Sequence, residues 1–322
     1  MNVRSLFIAV LCFLTAAALA QPKTSPPAPA PPPNANAGNA DLAYGAFQRG
    51  YYLTALAEAT KRAQRDDAAA MTLLAELYAQ GLGVPRDDSK AAQWYKLGAA
   101  HGDRDAMFAL AMFRLAGRAG PRDRDASAKY LAAAAKLGHA LAAYDLALLY
   151  IEGQLFPQDF ARAAELLRVA AQAGNPDAQY ALGTLYRTGR GVAKDEREAV
   201  RLFGLAALAD NTDAQVEYAI ALYNGDGGLT RNHEAAAALF KKAALHNNPV
   251  AQDRLAHILA TGAGAAQNGT EAAKWRLISK ARGETDLVLD DYVARLDADT
   301  RAAAEKAAKP WIDAIKKPPP PG

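Results

Sequence analysis

Cysteine is almost absent from this sequence. The 322 residues contain one, Cys12, within the apolar run near the amino terminus. A disulfide framework needs paired cysteines, and structural zinc sites commonly use several thiolates. A disulfide framework and a thiolate zinc site are excluded for the rest of the chain, so the fold has to be stabilised by side-chain packing.

An excess of charge of either sign is also missing. The chain has 37 Lys and Arg against 34 Asp and Glu, a formal charge of +3, and the first twenty residues contribute only Arg4. Domains that bind nucleic acid or anionic membranes normally carry a basic patch. The charge balance therefore predicts neither partner. Clusters of β-branched residues are scarce while alanine and leucine dominate, which favours helices over strands.

The usual patterns of catalytic and metal-binding residues are lacking as well. None of the five serines lies in a Gly-x-Ser-x-Gly motif or precedes a lysine by three residues, as acyl enzymes of the Ser-x-x-Lys type require. The five histidines are scattered, at positions 101, 139, 233, 246 and 257. His101 and His139 flank glycines predicted to end helices, where a cation interacts favourably with the helix dipole. We therefore predict no catalytic residue, no metal site and no cofactor.

A regular ladder of glycines is what the sequence does have. Successive members are 36 residues apart, and the last interval is 37: Gly81, Gly117, Gly153, Gly189, Gly225 and Gly262. Six or seven residues after each glycine comes a residue that caps helix amino termini well: Asp87, Asp123, Asp159, Asp195, Asn232 and Asn268. The alternative of calcium ligands is disfavoured because the loops do not cluster carboxylates. A fixed period of this length predicts a solenoid.

Repeat four shows the expected unit. One apolar helical face ends at Gly189, Asp195 opens the second helix, and Glu198 is placed to complete a capping box. Two columns of small residues predict close helix packing: Ala70, Ala106, Ala142, Ala178, Ala214, Ala251 and Gly98, Ala134, Ala170, Ala206, Ala243, Ser279. A column of large residues is predicted to fill the core: Trp94, Tyr130, Leu166, Leu202, Leu239, Trp275.

The flanking segments have different compositions. We predict a signal peptide at 1–20, a Pro/Ala-rich linker at 21–39, a degenerate helical hairpin at 40–65, six full repeats at 66–283, a helical cap at 284–315 and a Pro-rich tail at 316–322. Retention of the first segment as a membrane anchor is the alternative to cleavage. After cleavage no membrane span is expected.

The unit from Ala178 to Asp195 reads Ala-x-x-x-Leu-Gly-x-Leu-Tyr-x-x-Gly-x-Gly-Val-x-x-Asp. It resembles the Sel-one-like repeat, a relative of the tetratricopeptide repeats. The resemblance implies an all-α, right-handed superhelical solenoid of antiparallel helix pairs that acts as an adaptor in protein complexes. It also implies that exported bacterial members serve the cell envelope. Cysteine-rich members are described as binding or hydrolysing β-lactams, but this chain lacks their paired cysteines.

The predicted function is therefore a non-enzymatic scaffold, periplasmic or secreted, that binds a protein or peptide through its concave face. A cell-wall or β-lactam-like hydrolase and a glycan-binding envelope protein, with cell-envelope polysaccharide as partner, are the alternatives. The first helices should line the concave side through positions 73, 76 and 80 and their equivalents, although these could also be plain solvent positions. The residues predicted to contact the partner are Glu76, Gln80, Met112, Asp145, Leu148, Glu152, Thr184, Thr188, Glu217, Ile220, Asn224 and Arg254. Carboxylates and apolar side chains alternate there, which suits an extended peptide that bears Lys or Arg.

We expect the exported protein to begin at Gln21, because an Ala-x-Ala cleavage site, Ala18 to Ala20, directly precedes it. The intact mass of protein recovered from the envelope fraction checks this. A mass that includes residues 1–20 would mean that the segment is kept as an anchor.

Overall fold

The computed structural model describes residues 41–316. The predicted signal peptide, the predicted linker and residues 317–322 of the predicted tail lie outside this range. Within the described residues, no helix combines the length and apolarity needed to cross a membrane.

The described chain is all-helical, and its sixteen α-helices follow one another in pairs. They are α1 Leu42–Gln48, α2 Tyr52–Ala63, α3 Ala68–Gln80, α4 Asp88–Ala100, α5 Arg104–Ala116, α6 Arg124–Lys136, α7 Ala140–Glu152, α8 Phe160–Gln172, α9 Pro176–Thr188, α10 Glu196–Leu208, α11 Thr212–Asn224, α12 His233–Leu245, α13 Pro249–Thr261, α14 Gly269–Ala281, α15 Leu287–Arg295 and α16 Ala298–Lys316.

From α3 to α14 the pairs form the six repeats of the predicted solenoid, each with a first and a second helix. By their contacts the described residues divide into two compact units, 41–170 and 171–316, and the boundary falls inside α8.

The glycine ladder and the cap ladder define the helix ends as predicted. Gly189 has φ 69° and closes α9 in the left-handed conformation, which only glycine adopts at little cost. The side chain of Asp195 accepts a hydrogen bond from the backbone N–H of Glu198 at 3.0 Å and opens α10. The same two devices recur through the array, so each repeat begins and ends its helices at equivalent positions.

A capping box consists of two hydrogen bonds, and the second of them, from the N–H of Asp195 to the carboxylate of Glu198, is not confirmed. The N–H of Asp195, which the carboxylate of Glu198 would have to bind, donates to the carbonyl of Tyr186 at 3.0 Å. Glu198 forms an ion pair with Arg201. A backbone bond across the loop thus satisfies the donor that the sequence pattern assigned to a side chain.

Ala119 occupies the place of the second loop glycine in repeat two. It has φ 57°, the conformation that Gly83 and Gly191 adopt at the equivalent positions. A residue with a Cβ is strained there by roughly 1 kcal/mol. The loop keeps its geometry nevertheless, since the caps on both sides fix it.

The small columns are confirmed as core positions, and the large column is confirmed in part, since Trp94, Tyr130 and Leu239 pack against the core without being fully buried. All members of the two small columns are buried. Of the predicted large column, Leu202 and Trp275 are buried, whereas the other four are half-buried. A complete column of buried large residues comes one position later: Tyr95, Leu131, Leu167, Phe203, Phe240 and Arg276. One residue is a rotation of about 100° on a helix, and sequence periodicity did not resolve that phase.

His139 has the opposite role to the predicted one. It is the N-cap of α7, where its Nδ1 accepts a hydrogen bond from the N–H of Ala142 at 3.1 Å. Burial lowers the pKa of His139, against the opposing charge of Asp105 and with a smaller contribution from Arg104. The ring is therefore a neutral acceptor at a helix start, and the prediction of a cation at a helix end is wrong. His101 does lie at the end of a second helix, as the C-cap of α4.

The C-terminal helices cover the last repeat. The sequence predicts a helix end at Pro310, since proline disfavours the interior of a helix, and this prediction is wrong. Helix α16 continues through Pro310 to Lys316. A proline inside a helix removes one backbone bond and costs about 3 kcal/mol. Packing offsets this, because Trp311 lies edge-on to Trp275 with ring centroids 5.3 Å apart. Ile312 and Ile315 pack against the same core.

Replacing Asp195 with alanine should lower the free energy of unfolding by about 1 kcal/mol, the usual cost of a lost N-cap. The matched control is Asp195→Asn, since Asn232 and Asn268 cap the equivalent helices of repeats five and six. Urea unfolding followed by circular dichroism measures both. A loss of the same size in the asparagine variant would show that the charge, and not the cap, stabilises this position.

Candidate functional site

The first-helix face is formed by positions 73, 76 and 80 of α3 and their equivalents on the other first helices. Caps and loop glycines place these positions at the same phase in every repeat. The members in repeats one to three are Leu73, Glu76, Gln80, Ala109, Met112, Ala116, Asp145, Leu148 and Glu152. Those in repeats four to six are Ala181, Thr184, Thr188, Glu217, Ile220, Asn224, Arg254, His257 and Thr261.

Exposure along this face is graded. The third position of each helix is exposed except at Glu152, and the second is half-buried except at Leu148. Leu148 is only 7 % exposed, so its side chain offers a partner little surface and contributes to the core. Gln80, Thr188, Asn224 and Arg254 are exposed, whereas Glu76, Met112, Asp145, Thr184, Glu217 and Ile220 are half-buried.

In unit 41–170 the face carries three half-buried carboxylates with weak compensation. Burial raises the pKa of Glu76, although Gln80 Nε2 donates to its Oε1 at 2.8 Å. Burial raises the pKa of Asp145 to about 7. Burial also raises the pKa of Glu152. Arg124 Nη2, 3.8 Å from Oε2, opposes this effect only in part. A cation brought to this surface would therefore be stabilised.

Glu217, in unit 171–316, is in a different state. Both of its carboxylate oxygens pair with Arg187, with Nη2 2.9 Å from Oε1. Arg187 also lies over the ring of Phe203. This bidentate pair already satisfies the carboxylate, so Glu217 is not the free anion that the sequence suggested.

The contrast between Glu217 and Asp145 has a simple origin in the repeat. They occupy the same position, two repeats apart, and Arg187 is found 30 residues before Glu217. The residue 30 positions before Asp145 is Leu115, which has no charge to offer. Leu115 thus occupies the position where repeat four has the guanidinium of Arg187. Burial alone therefore determines the pKa of Asp145.

In unit 171–316 the face opens into a cleft of about 310 Å³. Five members of the face line it: Ile220, Asn224, Arg254, His257 and Thr261. Tyr223, Phe240 and Ile258 complete the wall. The predicted positions of repeats five and six thus converge on one concave feature with an apolar floor.

The polar groups at this cleft differ in how they are held. Thr261 Oγ1 donates to the carbonyl of His257, and Asn224 Nδ2 donates to Asp226 Oδ2 at 3.0 Å. In repeat four, Thr184 and Thr188 likewise donate to carbonyls of their own helix. Arg254 is exposed at the rim. Local bonds therefore occupy the hydroxyl protons, and Arg254 is an exposed charge at the rim of the cleft.

Sequence reasoning missed how His257 is held. Its Nε2 lies 2.6 Å from Oδ2 of Asp286, which is the N-cap of α15. The two residues are 29 positions apart, and Asp286 belongs to the non-repeated cap. No spacing rule connects them, because only the docking of α15 on α13 brings them together.

Asp145→Asn should stabilise the protein above pH 7 and change little near pH 3.5. The folded pKa of Asp145 is raised from 3.8 to about 7, so ionisation in the folded chain costs free energy. That cost is absent below the ordinary pKa, grows as the pH rises, and is complete above pH 7. A shift of this size corresponds to on the order of 1–4 kcal/mol.

Urea unfolding of both proteins at pH 3.5 and pH 8 measures the difference. The exposed carboxylate of Asp125 on α6 provides the control variant, Asp125→Asn. An equal increase in the free energy of unfolding of Asp145→Asn at both pH values would contradict the raised pKa of Asp145, since a gain unrelated to its charge does not depend on pH.

Comparisons with known proteins agree with this architecture. The Sel1 repeat model matches residues 68–103, 104–139, 140–175, 176–211, 212–248 and 249–275. The chain is similar to the solved structure of c5321, a protective antigen present in uropathogenic Escherichia coli strains displaying an SLR fold. That match has 24% identity and a TM-score of 0.60, and covers 84% of this chain and 68% of that chain.

A second solved structure is that of a Sel1 repeat protein from Oxalobacter formigenes. It has 26% identity and a TM-score of 0.62, and the match covers 77% of this chain and 100% of that chain. The sequence matches none of the curated proteins with which it was compared. The six repeat matches fall on the six helix pairs from α3 to α14 and span more than half of the chain, and the chain therefore belongs to the Sel1 repeat family.

Proposed function

We propose that this Sel1 repeat protein is a non-enzymatic adaptor of the bacterial cell envelope. It binds an extended peptide segment of a protein partner, and the segment carries Lys or Arg. The envelope location rests on the signal-like sequence of residues 1–20. The partner chemistry rests on the first-helix face of unit 41–170.

The observation that supports this proposal best is the state of Asp145 and Glu152. Both lie on α7, seven residues apart and so on one side of the helix. Asp145 is held in a desolvated site, and Glu152 has one carboxylate oxygen buried with no hydrogen bond among the described residues. Buried carboxylates left this way cost free energy in the unbound protein. A Lys or Arg side chain of a partner would relieve that cost, which is a gain that an exposed acidic surface cannot offer.

Binding should then depend on pH in a stated direction. Asp145 is protonated below pH 7 and attracts a cation only when ionised. Capture of the partner should therefore strengthen as the pH rises from 6 to 8. The Asp145→Asn variant should lose this dependence.

The decisive comparison uses the double variant Asp145→Asn with Glu152→Gln. Affinity capture from the envelope fraction at pH 8 should fall at least tenfold, since each charge-assisted contact is worth about 1.5–3 kcal/mol. Its matched control is Asp125→Asn with Glu165→Gln, which removes two exposed carboxylates from second helices of the same unit. Both variants change the net charge equally, so a loss confined to the first one identifies the face.

Two outcomes would overturn the proposal. Capture that survives the first double variant but fails in the control would place the site on the second helices. Capture of polysaccharide that persists after protease treatment of the fraction would make the protein a glycan-binding member of the envelope. Circular dichroism and melting of each variant show whether the fold is retained.

A further inference from the structure

Three side chains that could ligate a metal ion meet at the junction of repeat six and the cap. Asp253 and His257 lie on α13, four residues apart and so on one face of the helix. Asp286 approaches them from the start of α15. One nitrogen or oxygen atom from each residue lies within 4.8 Å of the others.

These distances are close to those of a metal site. Zinc bonds of about 2.0–2.2 Å in tetrahedral geometry separate neighbouring ligand atoms by roughly 3.3 Å. His257 Nε2 and Asp286 Oδ2 are now 2.6 Å apart because they share a hydrogen bond. A bound ion would replace the shared proton and widen that pair. The carboxylate oxygen of Asp253 would move toward the other two atoms by about an ångström, which rotation of its side chain allows.

The two carboxylates are oriented by bonds that leave an oxygen for the ion. Asp286 uses Oδ1 to accept from the N–H of Leu289, so its Oδ2 faces His257. Arg276 Nη1 and Ser279 Oγ both contact Oδ1 of Asp253, at 2.9 and 3.3 Å, so Oδ2 can face an ion. Supporting bonds of this kind orient the ligands in established metal sites.

Burial and charge also fit a partly open site. The side chains of Asp253, His257 and Asp286 are 16%, 31% and 19% exposed, and His257 borders the cleft of unit 171–316. The three side chains are therefore partly open to solvent. The positive charge of Arg276 is shared between Asp253 and Asp290, and Lys280 also pairs with Asp290. The charge of Arg276 also acts on Asp286, but among the described residues no Lys or Arg forms an ion pair with Asp286. Asp286 is therefore the carboxylate that a divalent cation would neutralise.

We propose that Asp253, His257 and Asp286 form a binding site for a divalent transition metal of the zinc type, with water as the fourth ligand. An imidazole ligand favours zinc, nickel or copper, whereas magnesium and calcium prefer oxygen atoms alone. The ion cross-links the first helix of repeat six to the first helix of the cap. It also fixes the His257 wall of the cleft. The site has no counterpart in the other repeats, since Asp286 lies outside the repeated sequence.

The test uses the full chain after treatment with a chelator and dialysis. Calorimetric titration with zinc chloride should show one site, and zinc should raise the melting midpoint, because a ligand that binds only the folded state stabilises it. Magnesium chloride at the same concentration should do neither. Cobalt chloride should give the visible absorption of tetrahedral coordination.

Two variants remove ligands and one provides a control. His257→Gln and Asp286→Asn should each weaken zinc binding by at least tenfold. Asp286→Asn keeps the N-cap of α15, because asparagine caps as well as aspartate, so its metal-free melting midpoint should stay close to that of the parent. His246→Gln removes an exposed histidine at the end of α12 and should leave binding unchanged.

The proposal is overturned if the parent binds no zinc. It is equally overturned if His257→Gln binds zinc as well as the parent does, because the ion would then lie elsewhere. Equal binding of magnesium would exclude an imidazole-containing site of this kind. Loss of binding in the two ligand variants alone, with tetrahedral cobalt absorption in the parent, establishes the site.

Discussion

The fold depends on a backbone hydrogen bond that closes every loop inside a repeat. The N–H of the residue that caps the second helix donates to a carbonyl near the end of the first, as from Asp87 to Tyr78 and from Asp195 to Tyr186 at 3.0 Å. This bond sets the distance and the rotation between the two helices. Repeat five has one extra loop residue, and a short 3₁₀ turn at Asp226–Gly228 absorbs it while Asn232 still donates to Leu222. The helix phase is preserved, and the first-helix face stays continuous within each unit.

Sequence alone was enough for the elements whose signal is local and repeated. Caps, closing glycines and small columns recur in register, so six weak signals strengthen one another. Single occurrences were harder. Pro310 suggested a helix end because proline disfavours the interior of a helix. The packing of Trp311 on Trp275 offsets that cost, but it joins residues distant in sequence and a local pattern does not reveal it. Periodicity did not distinguish the predicted large column from the fully buried column one residue later, since half-buried and buried positions both favour apolar side chains.

The candidate site was predictable in position but not in charge. Five of the predicted face positions in repeats five and six do line one cleft, because a helix face follows from the period. Whether a carboxylate is free depends on the helix before it, as Arg187 beside Glu217 and Leu115 before Asp145 illustrate. The repeat thus uses one position for two purposes. A paired carboxylate holds neighbouring helices together, as Glu217 does with Arg187. The same position without its partner leaves the half-buried carboxylate of Asp145, which under the function we propose pairs with a cation of the partner.

The end of the array shows how a solenoid acquires features that its repeat does not encode. Repeat six has Arg276 where earlier repeats have Tyr95, Leu131 or Phe203, and the guanidinium is only 1% exposed. A buried charge is tolerated because Asp253 and Asp290 flank it, and removal of one partner would cost about 3–5 kcal/mol. Asp290 belongs to the cap and not to a repeat. The cap is therefore joined to the array by ion pairs as well as by apolar contacts, and this polar junction brings Asp286 to His257. Side chains meet at this junction that no other repeat can bring together, because the cap supplies one partner of each pair.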